Sequence, residues 1–164
     1  MNVIVSDDIN ADFLALVQSI LDDCEFKKLV LYKQHCKTNR FMHSLNVSYL
    51  SWLVAKKFGW DVRVAARAGL LHDFCLYDFK DKLPKGQFQA FHHPKVAAEN
   101  SGERFQIPEK ERQAILSHMF PLGPLPKCKE AWIITCTDKV CAVLEACRLN
   151  IALAKRNRVV ISPA

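Results

Sequence analysis

Five histidines and two aspartates stand out as groups able to do chemistry: His43, His72, the adjacent His92 and His93, His118, Asp73 and Asp138. Imidazole with carboxylate and no sulfur suits first-row cations such as Fe, Mn, Co, Ni or Zn better than Ca. His72 and Asp73 are neighbours and cannot share one helix face. At a helix end, however, they can deliver one nitrogen and one carboxylate to the same centre, and a carboxylate can bridge two ions. Taken singly, each residue has a plainer explanation. A lone histidine in an apolar helix is more often a hydrogen-bonded core residue than a ligand, and for His118, on the stripe with Ile115, that explanation alone would win. Asp138 stands among Ile133, Ile134, Cys136, Val140 and Cys141, where a buried carboxylate must be paired or ligated. His43 and the His72–Asp73 pair adjoin apolar runs that would make an unpartnered polar group costly. One metal site explains all of them together. The sixth histidine, His35, has no such partner pattern.

The elements that must position these groups are helices. Phe13, Leu14, Leu16, Val17, Ile20 and Leu21 form the apolar face of a first helix, opened by Asp7 and Asp8. A second stretch covers about Glu25–Lys33. A third, Asn39–Phe58, is stopped by Gly59 and carries His43. Asp61 caps an alanine-rich helix, Val62–Leu71, that ends at His72–Asp73, and its small residues predict close packing in the middle of the domain. Cys75–Phe91 has no steady period and holds Asp78, Lys80, Asp81, Lys82 and Lys85, the pattern of a long charged loop. Helical pattern resumes at His93–Asn100, then from Pro108 to about His118. The prolines of Pro121–Pro126 break the chain before a last helix, about Lys127–Leu149. No repeat or convincing β-sheet is legible. The fold class is all-α, with helix ends and middles aimed at one cavity.

Composition narrows the partners. The 164 residues make one domain, with a core over about 25–150 and a short tail, 151–164, made basic by Lys155, Arg156 and Arg158. Lys and Arg number 23 against 17 Asp and Glu, a net charge of +6, which favours polyanionic partners. Only five glycines are present, which counts against a Gly-rich phosphate loop. The seven cysteines are odd in number and contain no C-x-x-C, so a thiolate zinc site is disfavoured and a reduced, cytoplasmic setting is expected. No apolar run is long enough to span a membrane. The acidic start, MNVIVSDDIN, lacks a signal-peptide pattern.

Three strings carry a resemblance: Arg40-Phe41-Met42-His43-Ser44, Ala68-Gly69-Leu70-Leu71-His72-Asp73 and Thr137-Asp138-Lys139-Val140. In this order they resemble the HD-domain metal-dependent phosphohydrolases over about residues 25–150. His93-Pro94-x-x-Ala97 and Ala114-Ile115-Leu116-Ser117-His118 further resemble the subset that adds two histidines and holds two metals. That subset includes the small bacterial enzymes that split diadenosine tetraphosphate symmetrically and the cyclic-dinucleotide phosphodiesterases of the HD type. The resemblance implies a compact helical bundle with ligands His43, His72, Asp73, His93, His118 and Asp138. His72 and Asp73 would be the catalytic dyad and Asp73 the bridging carboxylate. His93 is preferred over His92 because it directly precedes Pro94, leaving His92 beside the ligands or as the ligand itself. Those two-metal families usually carry a lysine three residues after the HD aspartate, where this chain has Leu76. The Gly-Tyr-Pro signature of the cyclic-dinucleotide group is absent, and Met119 follows His118.

The chemistry expected is hydrolysis of a small phosphorylated substrate, a nucleotide or related phosphoester or phosphoanhydride. Water activated on one or two divalent ions would be the nucleophile, and Asp73 would orient it. Arg40, Lys80, Lys82 and Lys85 are candidate phosphate contacts. For Arg40 a plain surface salt bridge competes equally, and for each lysine a solvated loop is the commoner reading. A mononuclear nucleotidase using only His43, His72, Asp73 and Asp138 is the alternative. A non-catalytic metal- or nucleotide-binding regulatory module is another. Nucleic acid is disfavoured as a partner because the short basic tail lacks interleaved aromatics.

Overall fold

The computed structural model describes residues 2–4, 11–34, 38–81, 83, 87–147 and 160–162. Seven α-helices follow one another along these residues: α1 (Ala11–Leu21), α2 (Cys24–Lys27), α3 (Arg40–Phe58), α4 (Val62–Leu71), α5 (Gln89–Phe105), α6 (Glu109–Ser117) and α7 (Lys129–Ala146). The all-α class is therefore correct for the domain. A small ribbon accompanies it: β1 (Asn2–Ile4) pairs antiparallel with β2 (Val160–Ser162), Val3 opposite Ile161. This pair corrects the expectation of no sheet, because three-residue strands are too short to show a period. Asp7, Asp8, His35 and the basic residues of the tail lie outside the described residues.

Helix α3 is the axis of the bundle and lies against both α4 and α7. Its start follows from Asn39, whose side chain accepts the Met42 N–H at 2.9 Å, and its end from Gly59, left-handed at φ 66°. The α3–α4 contact is close because Gly69 has no side chain; a Cβ there would meet the Ser48 Cα at 3.0 Å. Ala65, Ala66 and Ala68 are fully buried beside it. The core joins Phe13, Val17 and Ile20 of α1, Leu45 and Trp52 of α3, Leu70 and Leu71 of α4, and Ile134 of α7.

Two boundaries differ from the sequence expectation. The stretch read as one helix over Glu25–Lys33 divides into α2 and a 3-10 turn, Lys28–Leu31, ending at Tyr32 in extended conformation. Asp23 caps α2, accepting the Glu25 and Phe26 N–H groups. Helix α5 begins at Gln89, so Pro94 lies inside it rather than opening it. That earlier start adds a helical turn before His93.

Candidate metal centre

Each cluster residue arrives from a helix end or a buried helix face. His43 lies one turn inside α3, while His72 and Asp73 terminate α4. His93 projects from the second turn of α5, His118 ends α6, and Asp138 lies halfway along α7. All are buried except Asp138, whose side chain is 14% exposed.

The imidazole orientations share one rule. Nδ1–H of His72 donates to the Gly69 carbonyl at 2.8 Å, that of His93 to Gln89 at 2.6 Å, and that of His118 to Ile115 at 2.7 Å. Each ring is thereby held in the tautomer that leaves the Nε2 lone pair facing inward. His43 follows the same pattern with a carboxylate, its Nδ1 lying 2.9 Å from Glu145 and its Nε2 3.0 Å from Asp138. A ligating histidine is commonly oriented this way, its other nitrogen donating to a carbonyl or carboxylate.

Inside the cluster, Asp73 stands between two groups. Its Oδ2 is 3.6 Å from His72 Nε2. Its Oδ1 is 3.4 Å from His93 Nε2 and 3.7 Å from His118 Nε2. Asp138 Oδ1 lies 3.5 Å from His72 Nε2. Donor atoms of His43, His72 and Asp73, of His72, His118 and Asp138, and of Asp73, His93 and His118 all fall within 4.8 Å of one another. Metal–ligand bonds of about 2.0–2.1 Å set neighbouring donors roughly 3.0–3.4 Å apart, close to this spacing. His72 Nε2 and Asp73 Oδ1 are buried without a hydrogen-bond partner. Orphaned acceptors buried within one cluster are what bound cations would satisfy. The residues present fit a divalent transition metal.

The charges of the cluster's side chains follow from the same geometry. Burial penalises the imidazolium of His43, but Asp138 and Glu145 outweigh it and raise its pKa to about 10. His72 is raised against its burial by Asp73 and Asp138. His118 is lowered to about 3 by burial and by repulsion from His72 and His93, and His93 is lowered chiefly by burial. Burial favours the neutral acid at Asp73 and Asp138, yet the surrounding histidines hold both carboxyls below the usual range.

A cleft of about 350 Å³ opens onto the cluster, walled by Gln34, Phe79, Gln89, Ala90, Met119, Lys139 and Ala142. Sequence reasoning missed three of the groups that matter here. Gln34 donates Nε2–H to Asp73 Oδ2 at 2.5 Å. Glu145 backs His43 and accepts from Asn46 at 3.1 Å. Lys139 Nζ donates to the His118 carbonyl at 3.1 Å and brings an ammonium to the cleft wall. For Glu145 a signal existed: it falls seven residues after Asp138, on the same face of α7. Gln34 belongs to an irregular segment with no period.

Other expected contacts are placed elsewhere. Arg40 is fully buried, so it is neither a surface ion pair nor a wall of the cleft. Its guanidinium donates to the carbonyls of Cys75 (2.6 Å) and Tyr77 (2.9 Å) and to Gln34 Oε1 (3.1 Å). It also stacks 3.7 Å from the Phe79 ring centroid. Its Nη1 is spent on the carbonyls of the turn after the dyad and its Nε on Gln34, while Nη2 is buried without a hydrogen-bond partner. His93, not His92, enters the cluster; His92 turns toward Tyr77 and a separate groove with Phe88 and Lys95. Lys80 is exposed and does not line the cleft. Lys82 and Lys85 lie outside the described residues.

A family model described as the HD domain matches residues 40–143, from the start of α3 to near the end of α7, taking in every residue of the cluster. The chain belongs to the HD-domain family. The HD domain of the L. monocytogenes phosphodiesterase PgpH has a similar fold, with a TM-score of 0.56 at 19% identity, over 82% of this chain and 79% of that one. Short segments resemble ribonuclease Y. The Clostridium perfringens (strain SM101) protein is 50% identical over 42 residues, 26% of this chain and 8% of its own length. The Sulfurimonas denitrificans protein is 35% identical over 79 residues, 42% of this chain and 15% of its own. The chain thus spans under a fifth of these curated relatives. No helix among the described residues is long and apolar enough to cross a membrane.

Proposed function

We propose that this HD-domain chain is a metal-dependent phosphohydrolase that cleaves a phosphoester or phosphoanhydride of a nucleotide, with two divalent transition-metal ions held by the six clustered side chains. In this reading His43, His72, Asp73 and Asp138 would hold one ion, and His93 and His118, together with Asp73, the other. The observation that carries it is the set of inward-facing Nε2 atoms around Asp73, whose Oδ1 is buried with no hydrogen-bond partner. The names of the relatives, a phosphodiesterase and a ribonuclease, point to the same bond class.

Divalent ions bound here supply a Lewis acid that lowers the pKa of water from 15.7 to about 7, which yields a nucleophile at neutral pH. The protein contributes position and charge. Gln34 fixes the Asp73 carboxylate by bonding one oxygen, leaving the other directed at His93 and His118. Glu145 fixes the His43 ring. Lys139 can turn its ammonium from the His118 carbonyl to a substrate phosphate oxygen, where transition-state charge gathers. Phe79, Met119 and Ala142 provide apolar parts of the cleft wall.

Turnover of a phosphoester panel with Mn, Fe or Co tests the reading. Nucleotide hydrolysis that disappears in Asp73→Ala supports it. Ligand binding without turnover, unaffected by Asp73→Ala, sinks it in favour of a binding module.

A further inference from the structure

An apolar groove of about 380 Å³ lies beside the catalytic cleft, between α5 and the turn after α6. Ala90 lines both spaces, which makes them neighbours. Phe91 of α5 and Leu122 of the turn both line the groove, with Leu116 and Pro94 also lining it and Lys95 one turn along α5 from Phe91. Phe91 is 48% and Leu122 58% exposed. Large apolar side chains gathered around one opening mark a binding surface more often than scattered ones do.

We propose that this groove is the base-binding subsite of the substrate. A nucleobase would stack on Phe91 against Leu122 while its phosphate lies at the metal cluster. The inference rests on the phosphohydrolase reading for what occupies the cleft and adds where the nucleoside goes. Three features favour a base over other groups. The groove adjoins the cleft, the two sharing Ala90 in their linings. It presents an aromatic face, on which any base can stack. Lys95 places a cation at its edge, matching a ligand that carries phosphate. Such a platform accepts bases by their π-faces, so it predicts a requirement for a base with weak preference among bases.

The test compares AMP with ribose 5-phosphate, which differ only by the base. Binding is measured by calorimetry on the metal-loaded full chain, with phosphate release followed in parallel. AMP is expected to bind about tenfold more tightly in the wild type, an advantage lost in Phe91→Ala and kept in Phe91→Trp. Both substitutions are at a partly exposed position, and unchanged ribose 5-phosphate binding serves as the control for fold. Equal affinity for the two compounds, or an AMP advantage that survives both Phe91→Ala and Leu122→Ala, overturns the proposal. So does hexyl phosphate binding as tightly as AMP, which would make the groove an alkyl-chain site. Failure of the phosphohydrolase reading shows itself separately, as base-dependent binding without turnover.

Discussion

His93 Nε2 and His118 Nε2 lie 2.9 Å apart, although each ring already gives its Nδ1 hydrogen to a carbonyl of its own helix. Burial keeps both rings toward the neutral form. Two lone pairs then face each other beside the Asp73 carboxylate, an arrangement that a cation between them relieves. The backbone imposes this pose, since the donors' acceptors are carbonyls three or four residues earlier in the chain. The site is therefore built before any ion arrives.

Asp73→Asn keeps the size of the side chain but removes the charge that the two proposed ion positions would share. Turnover is expected to vanish and metal affinity to fall at both positions, with far-ultraviolet circular dichroism unchanged. Retained turnover in this variant would remove Asp73 from the mechanism.

Glu145→Gln tests the support behind His43. The carboxylate is 2.9 Å from His43 Nδ1, and its loss frees the ring to rotate. If His43 ligates a metal as proposed, affinity is expected to fall about 10–100-fold on loss of this outer partner. Titration with a metal-indicator competitor measures it.

Arg40→Ala strips three acceptors of a buried, charged donor. Destabilisation of about 3 kcal/mol is expected in urea unfolding. Arg40→Lys should recover little, because an ammonium cannot reproduce the planar fork or its stacking on Phe79. Gln34→Ala removes the link to Asp73 and one of the three Arg40 acceptors, while Arg40 keeps the Cys75 and Tyr77 carbonyls, so it should lower turnover strongly and cost less stability than Arg40→Ala.

Asp23 gives a pH signature remote from the cluster. Burial favours its neutral form, but Arg104 and the Phe26 and Glu25 N–H groups outweigh this and lower its pKa. Its stabilisation is therefore complete above the unfolded value of 3.8 and fades as pH falls through the lower folded value. Asp23→Ala should cost about 1 kcal/mol at pH 7 as a lost helix cap. Urea midpoints of wild type and variant should converge in acid.

Much of this architecture is legible in the sequence. Asn39 and Gly59 bound α3, Asp61 opens α4, and the apolar run before His72–Asp73 marks the dyad's place at a helix end. The clustering of five helices' side chains follows from one hypothesis, a shared metal. What stayed hidden is long-range pairing. Glu145 meets His43 across 102 residues of chain, and Gln34 meets Asp73 across 39. Neither pairing leaves a local pattern. The burial of Arg40 depends on the path of the turn at Cys75–Tyr77, which has no period to read. The choice of His93 over His92 depends on where α5 starts, and Pro94 pointed to a later start than the one observed.

The metal-to-protein ratio, read by elemental analysis of the purified, metal-loaded chain, bears most directly on the central claim. Two ions per chain are predicted for the wild type, falling to one in His93→Ala and in His118→Ala. A wild-type ratio of one, unchanged in both variants, would contradict the two-metal account and leave only the position of His43, His72, Asp73 and Asp138.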